Sequence, residues 1–125
     1  MVADNSRAFD GVARLYGDEL LTRLGNARIV VIGLGGVGSW AAEGLARSGV
    51  GRLTLIDMDH VAVSNVNRQV HALNSTLGAS KIEVMARRIA DINADCRVDL
   101  VDEFVTASNA LSLIPSDADV VIDAI

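Results

Sequence analysis

Residues 28–38 read RIVVIGLGGVG. A short apolar run leads straight into Gly33, Gly35 and Gly38, which have G-x-G-x-x-G spacing. That is the pattern of a buried parallel strand turning into a helix. The first glycine permits the tight turn, the second lets the backbone approach a phosphate, and the third lets the helix lie close to the strand. The helix beyond the loop offers free N–H groups and the positive end of its dipole. A nicotinamide dinucleotide and ATP both present a phosphate to such a loop, and the glycines alone do not choose between them.

Outward from that loop the chain alternates strand and helix. Residues 36–48 carry Val37, Trp40, Ala41, Gly44, Leu45 and Ser48 at helical spacing, with Gly49 as the stop. RLTLID (52–57) reads as a second strand. Ser80 reads as an N-cap with Glu83 as its capping-box partner. The helix they open has an apolar stripe of Ile82, Met85, Ile89 and Ile92, ending near Asn93. RVDLVDEFV (97–105) reads as a third strand, residues 107–113 as a short helix and ADVVIDAI (118–125) as a fourth strand. Residues 7–26 are predicted to be helical with an irregular lead-in. This order calls for right-handed crossovers and an α/β fold: a Rossmann-like, doubly wound parallel sheet with helices on both faces. We divide it into an N-terminal helical lead-in, 1–26, and a nucleotide-binding domain, 27–125. A chain stopping at the fourth strand leaves that strand no exit, so the expectation is a fragment of a longer protein, truncated there.

The 125 residues suffice for one domain with a modest core. Half of them are apolar, which is greasy for so small a domain and predicts surface covered by a partner subunit or by more of the same chain. No segment reaches the ~18 consecutive apolar residues of a membrane span. The opening MVADNSRAFDG lacks the apolar stretch of a signal peptide. The expectation is a cytoplasmic protein with no membrane contact. A net charge of −5 is not that of a generic nucleic-acid binder, though a local basic patch stays open, with Arg87 and Arg88 as candidates by position. Cys96 is the sole cysteine, which precludes an internal disulfide, and it sits in no reactive context. His60 and His71 form no pair with ligand spacing, so no structural metal site is expected.

Acids and cations after the loop bear on the choice of nucleotide. Asp57 and Asp59 close the second strand, and Asp57 stands 19 residues after Gly38. A carboxylate there can accept hydrogen bonds from the ribose of either nucleotide. A triphosphate that is cleaved needs, in addition, cations to stabilise the leaving pyrophosphate. Arg68, in SNVNRQ (64–69), follows a polar cluster. Lys81 falls in the first turn of a helix, where the dipole disfavours a cation unless an anion lies ahead of it. By spacing alone, these two stand level with ordinary surface charges.

GLGGVGS, LIDMD, SNVNRQ and the Lys81 helix, in this order and spacing, resemble the ubiquitin-activating-enzyme-like family, which includes bacterial enzymes of thiamine and molybdopterin synthesis. The resemblance covers residues 7–125. It implies an enzyme that binds ATP with Mg2+, adenylates a carboxylate and releases pyrophosphate. By motif, Gly33, Gly35, Gly36 and Gly38 would cradle ATP, Asp57 and Asp59 would lie at the ribose, and Asn65, Arg68 and Lys81 would meet the phosphates. Arg14, in VARLYG, resembles an N-terminal arginine that reaches the ATP of a partner subunit, although Leu15 stands where the family has glutamine. Asp123 matches the first of two acids serving magnesium and the adenylation site. The second would follow Ile125, so this stretch alone is expected to be inactive.

The finer wording (ARLYG, GGVGSWAAEGLARSGVG, LIDMDHV, NRQVHAL, DEFVT) resembles most the bacterial branch that activates N6-threonylcarbamoyladenosine in tRNA and dehydrates it to a cyclic form. That branch implies tRNA as substrate and a homodimer. A sister branch adenylates the C-terminal glycine of a ubiquitin-like sulfur carrier, which implies a sulfur-carrier or desulfurase-type partner. A nicotinamide-dependent oxidoreductase domain, which leaves Arg68 and Lys81 unexplained, and a non-catalytic scaffold are the remaining readings.

Overall fold

The strands found are the four expected, all parallel, in the order β3-β2-β1-β4. The computed structural model describes residues 7–125, so the first six residues of the lead-in lie outside the described part. In chain order the elements are α1 (Asp10–Tyr16), α2 (Asp18–Asn26), β1 (Arg28–Ile32), α3 (Gly38–Arg47), β2 (Arg52–Ile56), α4 (Lys81–Ile92), β3 (Arg97–Val101), α5 (Ala110–Leu113) and β4 (Val120–Asp123). Short 3-10 turns at Val63–Asn65 and Asn74–Thr76 lie in the long connection from β2 to α4.

β1 is buried on both faces because its side chains alternate between two cores. Ile29 and Val31 join Leu53, Leu55, Ala42, Ala46, Met85 and Ile89 beneath α3 and α4. Val30 and Ile32 join Ile56 on the other face, against Val101, Val105, Leu113 and Ile114. The predicted stripe of α4 is real: Ile82, Met85 and Ile89 are buried and Ile92 packs at their edge. Burial of each such side chain stabilises the fold by roughly 1.5–3 kcal/mol. Among the described residues the second face carries α5 and its flanking loops, and Leu111 and Val121 stay exposed there, with Val120 exposed on the opposite face.

Register positions the site. Ile32 pairs with Ile56 on one side and with Asp123 on the other, so three strands end level. The chain leaves β1 through α3 toward β2, whereas β4 adds on the opposite side of β1. A crevice therefore opens beyond the carboxyl ends of β1 and β4, where ligands of open α/β sheets bind.

Several predicted boundaries move. β3 stops at Val101 instead of running to residue 105. The Asp57 N–H takes the Val101 carbonyl, and the backbone after β2 then turns away, leaving 102–105 no ladder partner. The last helix begins at Ala110 instead of 107, because Asn109 ties the preceding loop to itself. Its Oδ1 accepts from the Thr106 N–H and its Nδ2 donates to the Phe104 carbonyl. β4 covers only Val120–Asp123. Ser80 does precede α4, but its hydroxyl makes no capping bond and the capping box is not formed. Instead, the Lys81 N–H donates to the Asp59 carbonyl, beside a bridge between His60 and Ser80. Gly49 ends α3 as expected, with φ +91° just past the cap. No helix among the described residues is long and apolar enough to cross a membrane.

Candidate functional site

The glycine loop is shaped by two of its four glycines and leaves space at the other two. Gly33 turns with φ +89°. A Cβ on Gly38 would lie 1.6 Å from the Gly33 carbonyl oxygen, so α3 can start only where that residue has no side chain. Gly35 and Gly36 differ. A Cβ there would meet nothing closer than Gln69 at 3.9 Å and Arg68 at 3.5 Å, respectively. The fold does not demand glycine at either position, which suits the close approach of a group from outside the chain. Neither residue's N–H donates to a protein acceptor among the described residues.

A cleft of about 230 Å³ opens at this loop. Gly33, Leu34 and Gly35 form its floor, Asp57, Asp59 and Lys81 one polar side, and Ile32, Ile56, Phe104, Val105 and Ala124 its apolar wall. Asp57 is buried, and both its oxygens are engaged. Oδ2 accepts from the Leu34 N–H and Oδ1 from the Asp59 N–H, each at 2.7 Å. Lys81 is only 6% exposed, yet it forms no ion pair among the described residues. The first turn of α4 thus brings an unpaired cation to the cleft that the glycine loop borders.

The segment 68–71 lies against the loop. The Trp40 indole N–H donates to the Arg68 carbonyl at 2.8 Å, and the Arg68 side chain runs beside Gly36. Its guanidinium is held by the Ser64 carbonyl and Asn67 Oδ1, both at 3.0 Å. Ser39 Oγ donates to the Gly35 carbonyl and accepts from the Val70 N–H. His71, 1% exposed, sits 2.7 Å through Nε2 from the Leu34 carbonyl. Burial lowers its pKa and the Lys81 charge lowers it further, while the Leu34 bond and Asp57 act the other way.

Of the residues singled out from the sequence, Gly33, Gly35, Asp57, Asp59 and Lys81 line the cleft, with Gly36, Gly38 and Arg68 at the same loop. Asn65 is buried in its own turn, where Oδ1 accepts from the Ala62 N–H. Asp123 is exposed at the end of β4, next to the cleft residue Ala124. Arg14 is exposed on α1 and does not line the cleft. The suggestion that Arg88 belongs to a free basic patch is corrected. Its guanidinium grips Glu43 through Nε and Nη2, and the Arg88 hydrogen bond holds the Glu43 carboxyl below the usual range. Arg87 is exposed. Burial pushes the Cys96 thiol up to about 11, an inert value. Among the described residues no three of His, Cys, Asp and Glu are grouped to hold a metal ion.

Sequence reasoning missed His71, Ser39, Phe104 and Val105. The two apolar residues stood in DEFVT, read as strand, and only the early end of β3 turns them into the cleft wall. His71 carried no local signal, because its partner lies 37 residues away.

Known proteins are similar to this chain in sequence and fold. The tRNA threonylcarbamoyladenosine dehydratase of Escherichia coli is 56% identical over 117 residues, covering 94% of this chain and 44% of that protein. The crystal structure of the E. coli tRNA N6-threonylcarbamoyladenosine dehydratase in complex with ATP superposes with a TM-score of 0.95 at 53% identity, over 100% of this chain and 52% of that one. An adenylyltransferase and sulfurtransferase of Drosophila willistoni is 36% identical over 108 residues, 86% of this chain and 23% of that protein. The chain spans about half the length of the curated relatives it matches first. The model of the ThiF family matches residues 9–125, from the lead-in through the glycine loop and Lys81 to the last strand, and the chain belongs to that family.

Proposed function

We propose that this chain forms the nucleotide-binding part of an ATP-dependent enzyme that adenylates the threonine carboxylate of N6-threonylcarbamoyladenosine in tRNA, leading to its cyclic, dehydrated form. The observation that carries the reading is Lys81: a lysine 6% exposed, with no ion pair among the described residues, beside a glycine loop with two open N–H groups. A dinucleotide held by backbone alone gives that lysine no purpose, whereas a triphosphate does. The relatives active on tRNA support the choice of substrate.

In this reading residues 27–125 are the ATP-binding domain and residues up to 26 its lead-in. Gly35 and Gly36 bring N–H groups to the phosphates. Lys81 and Arg68 supply positive charge where the departing pyrophosphate gains negative charge. Asp57 and Asp59 lie at the ribose, and Asn65 holds the turn that presents Arg68. Mg2+ fits as an ion carried in with the triphosphate, with Asp123 as the chain's own carboxylate toward it. A carboxylate is a poor electrophile, and the adenylate gives it a good leaving group, so an intramolecular nucleophile can then close the ring. Arg14, exposed on α1, is the residue assigned to a second subunit's ATP in a homodimer. The protein is assigned to the cytoplasm.

Adenylation of a ubiquitin-like sulfur carrier, with a sulfur-carrier or desulfurase-type partner, is the second reading. The likeness to an adenylyltransferase and sulfurtransferase favours it. The test is AMP formation by the full-length protein carrying this chain, supplied either with threonylcarbamoyl-modified tRNA or with a sulfur carrier. AMP made only with tRNA is expected. AMP made only with the carrier transfers the protein to the second reading, and none with either overturns both.

A further inference from the structure

We infer that His71 is a positioning residue for the ATP phosphates: from behind the loop, its Nε2–H fixes the Leu34 carbonyl and thereby aims the Gly35 N–H into the cleft. The inference rests on the ATP reading above and adds a residue to it.

The Leu34 carbonyl and the Gly35 N–H belong to one peptide unit. In a trans peptide they point in opposite directions, and no cis bond occurs among the described residues. A grip on the carbonyl therefore sets the direction of the N–H. His71 holds that carbonyl at 2.7 Å from the buried side, while Gly35 borders the cleft and its N–H has no protein acceptor. The preceding peptide obeys the same rule. Asp57 holds the Leu34 N–H, and the Gly33 carbonyl points away, toward the start of α3, where it crowds Gly38. The Leu34 side chain is fully buried in the main core. One residue between two glycines is thus fixed at its side chain, its N–H and its carbonyl. Only the last of these bonds depends on a side chain with no other task.

The histidine makes that bond at a cost. Facing a carbonyl, Nε2 must carry the proton, so neutral His71 has a bare Nδ1. That nitrogen is buried with no partner. A packing role is filled as well by leucine, which has no orphaned nitrogen. The buried donor earns its place through the carbonyl it holds.

The test uses the full-length enzyme, with His71→Leu to remove the donor and His71→Gln to keep one near the Nε2 position. The Leu variant should raise the KM for ATP about tenfold, with kcat and the KM for tRNA within about threefold, the pattern for lost uniform binding. The Gln variant should return the KM to within about threefold of wild type. In nucleotide-free protein, hydrogen exchange at residues 33–38 should quicken in the Leu variant and not in the Gln variant. Nitrogen NMR of histidine-labelled wild type, assigned by the resonance lost in the Gln variant, should give the Nε2–H tautomer at neutral pH. That measurement decides even if the Leu variant does not fold. An unchanged KM in the Leu variant, equal losses in both variants, or a δ-tautomer or imidazolium overturns the inference. A wild type that does not bind ATP overturns the functional reading itself, so the two failures are distinguished by which protein fails.

Discussion

The carboxylate of Asp57 reaches from the end of β2 to the glycine loop and accepts the Leu34 N–H at 2.7 Å. Its other oxygen closes the turn that follows by accepting the Asp59 N–H. One buried side chain thus ties the first loop of the sheet to the second strand, beyond any contact with a ribose. Asp57→Asn offers an acceptor to only one of those two N–H groups and turns an amide donor toward the other. Stability should fall by about 1–3 kcal/mol, the cost of a buried group left unsatisfied. AMP formation by the full-length protein should fall at least about 100-fold, since one change loosens the loop and alters the proposed ribose contact. Denaturant unfolding and an AMP assay check the two halves. Wild-type turnover in a destabilised Asn variant would confine Asp57 to bracing the loop.

Lys81 should separate function from stability in the opposite sense. It is 6% exposed and has no carboxylate partner among the described residues, so its charge contributes no ion pair to the folded state in the absence of ligand. Lys81→Met keeps the length and apolar stem of the side chain and removes the charge. The thermal midpoint should stay level or rise. Turnover of ATP should fall about 100-fold or more, because in the proposed reading the leaving pyrophosphate loses a fixed cation. A Met variant that melts earlier and still makes AMP at the wild-type rate would assign Lys81 to the scaffold.

The division between what the sequence disclosed and what it withheld follows the range of the interactions. The glycine spacing, the alternation of strand and helix, and the α4 stripe are set by neighbours a few residues apart, so pattern reading reaches them. Gly35 and Gly36 were legible as part of a glycine turn between β1 and α3 for the same reason. Ser80 had the right residue type for a cap, but its hydroxyl makes no capping bond, while its backbone bridges His60 and the next N–H, of Lys81, donates to the Asp59 carbonyl. Phe104 and Val105 had the composition of a strand and lost that state only because β2 ends first. His71 is defined by a carbonyl 37 residues away, and Arg88 by a glutamate 45 residues away. No local pattern encodes either pairing.

The Glu43–Arg88 pair, which joins α3 to α4, predicts an acid-sensitive contribution to stability. Glu43 is buried, and hydrogen bonding by Arg88 is the largest cause holding its pKa below the ordinary value of 4.5, with Arg47 adding to it. A carboxyl with a depressed folded pKa contributes stability that is fully present above its unfolded pKa. That contribution is lost as pH falls through the folded value. Wild-type stability should therefore decline below about pH 4.5, and Glu43→Gln should flatten part of that decline. Arg88→Met, which leaves the buried carboxylate only the exposed Arg47, should destabilise the protein at neutral pH by more than Glu43→Gln does. Unfolding curves from pH 3 to 7 check this. Equal pH profiles for wild type and Glu43→Gln would remove the pair from the acid limb.

Two glycines of the same loop should respond to alanine in contrasting ways. At Gly38 the new methyl would meet the Gly33 carbonyl at 1.6 Å, a backbone atom that the turn itself fixes. Relief requires moving either the strand end or the helix start, so Gly38→Ala should lower stability by about 3 kcal/mol or prevent soluble folding. At Gly36 the methyl would meet Arg68 side-chain atoms, none nearer than 3.5 Å, an ordinary contact with a flexible side chain. Gly36→Ala should melt within a few degrees of wild type. Its methyl would stand against the Arg68 side chain, and since Gly36 and Arg68 both meet the phosphates in the proposed reading, ATP affinity should fall about tenfold or more. Thermal melts and ATP titrations of the two full-length variants make the comparison. If Gly36→Ala bound ATP as tightly as wild type, the phosphates would have to lie farther from Gly36 than the open loop suggests, and the weight of their binding would shift to Lys81 and Arg68.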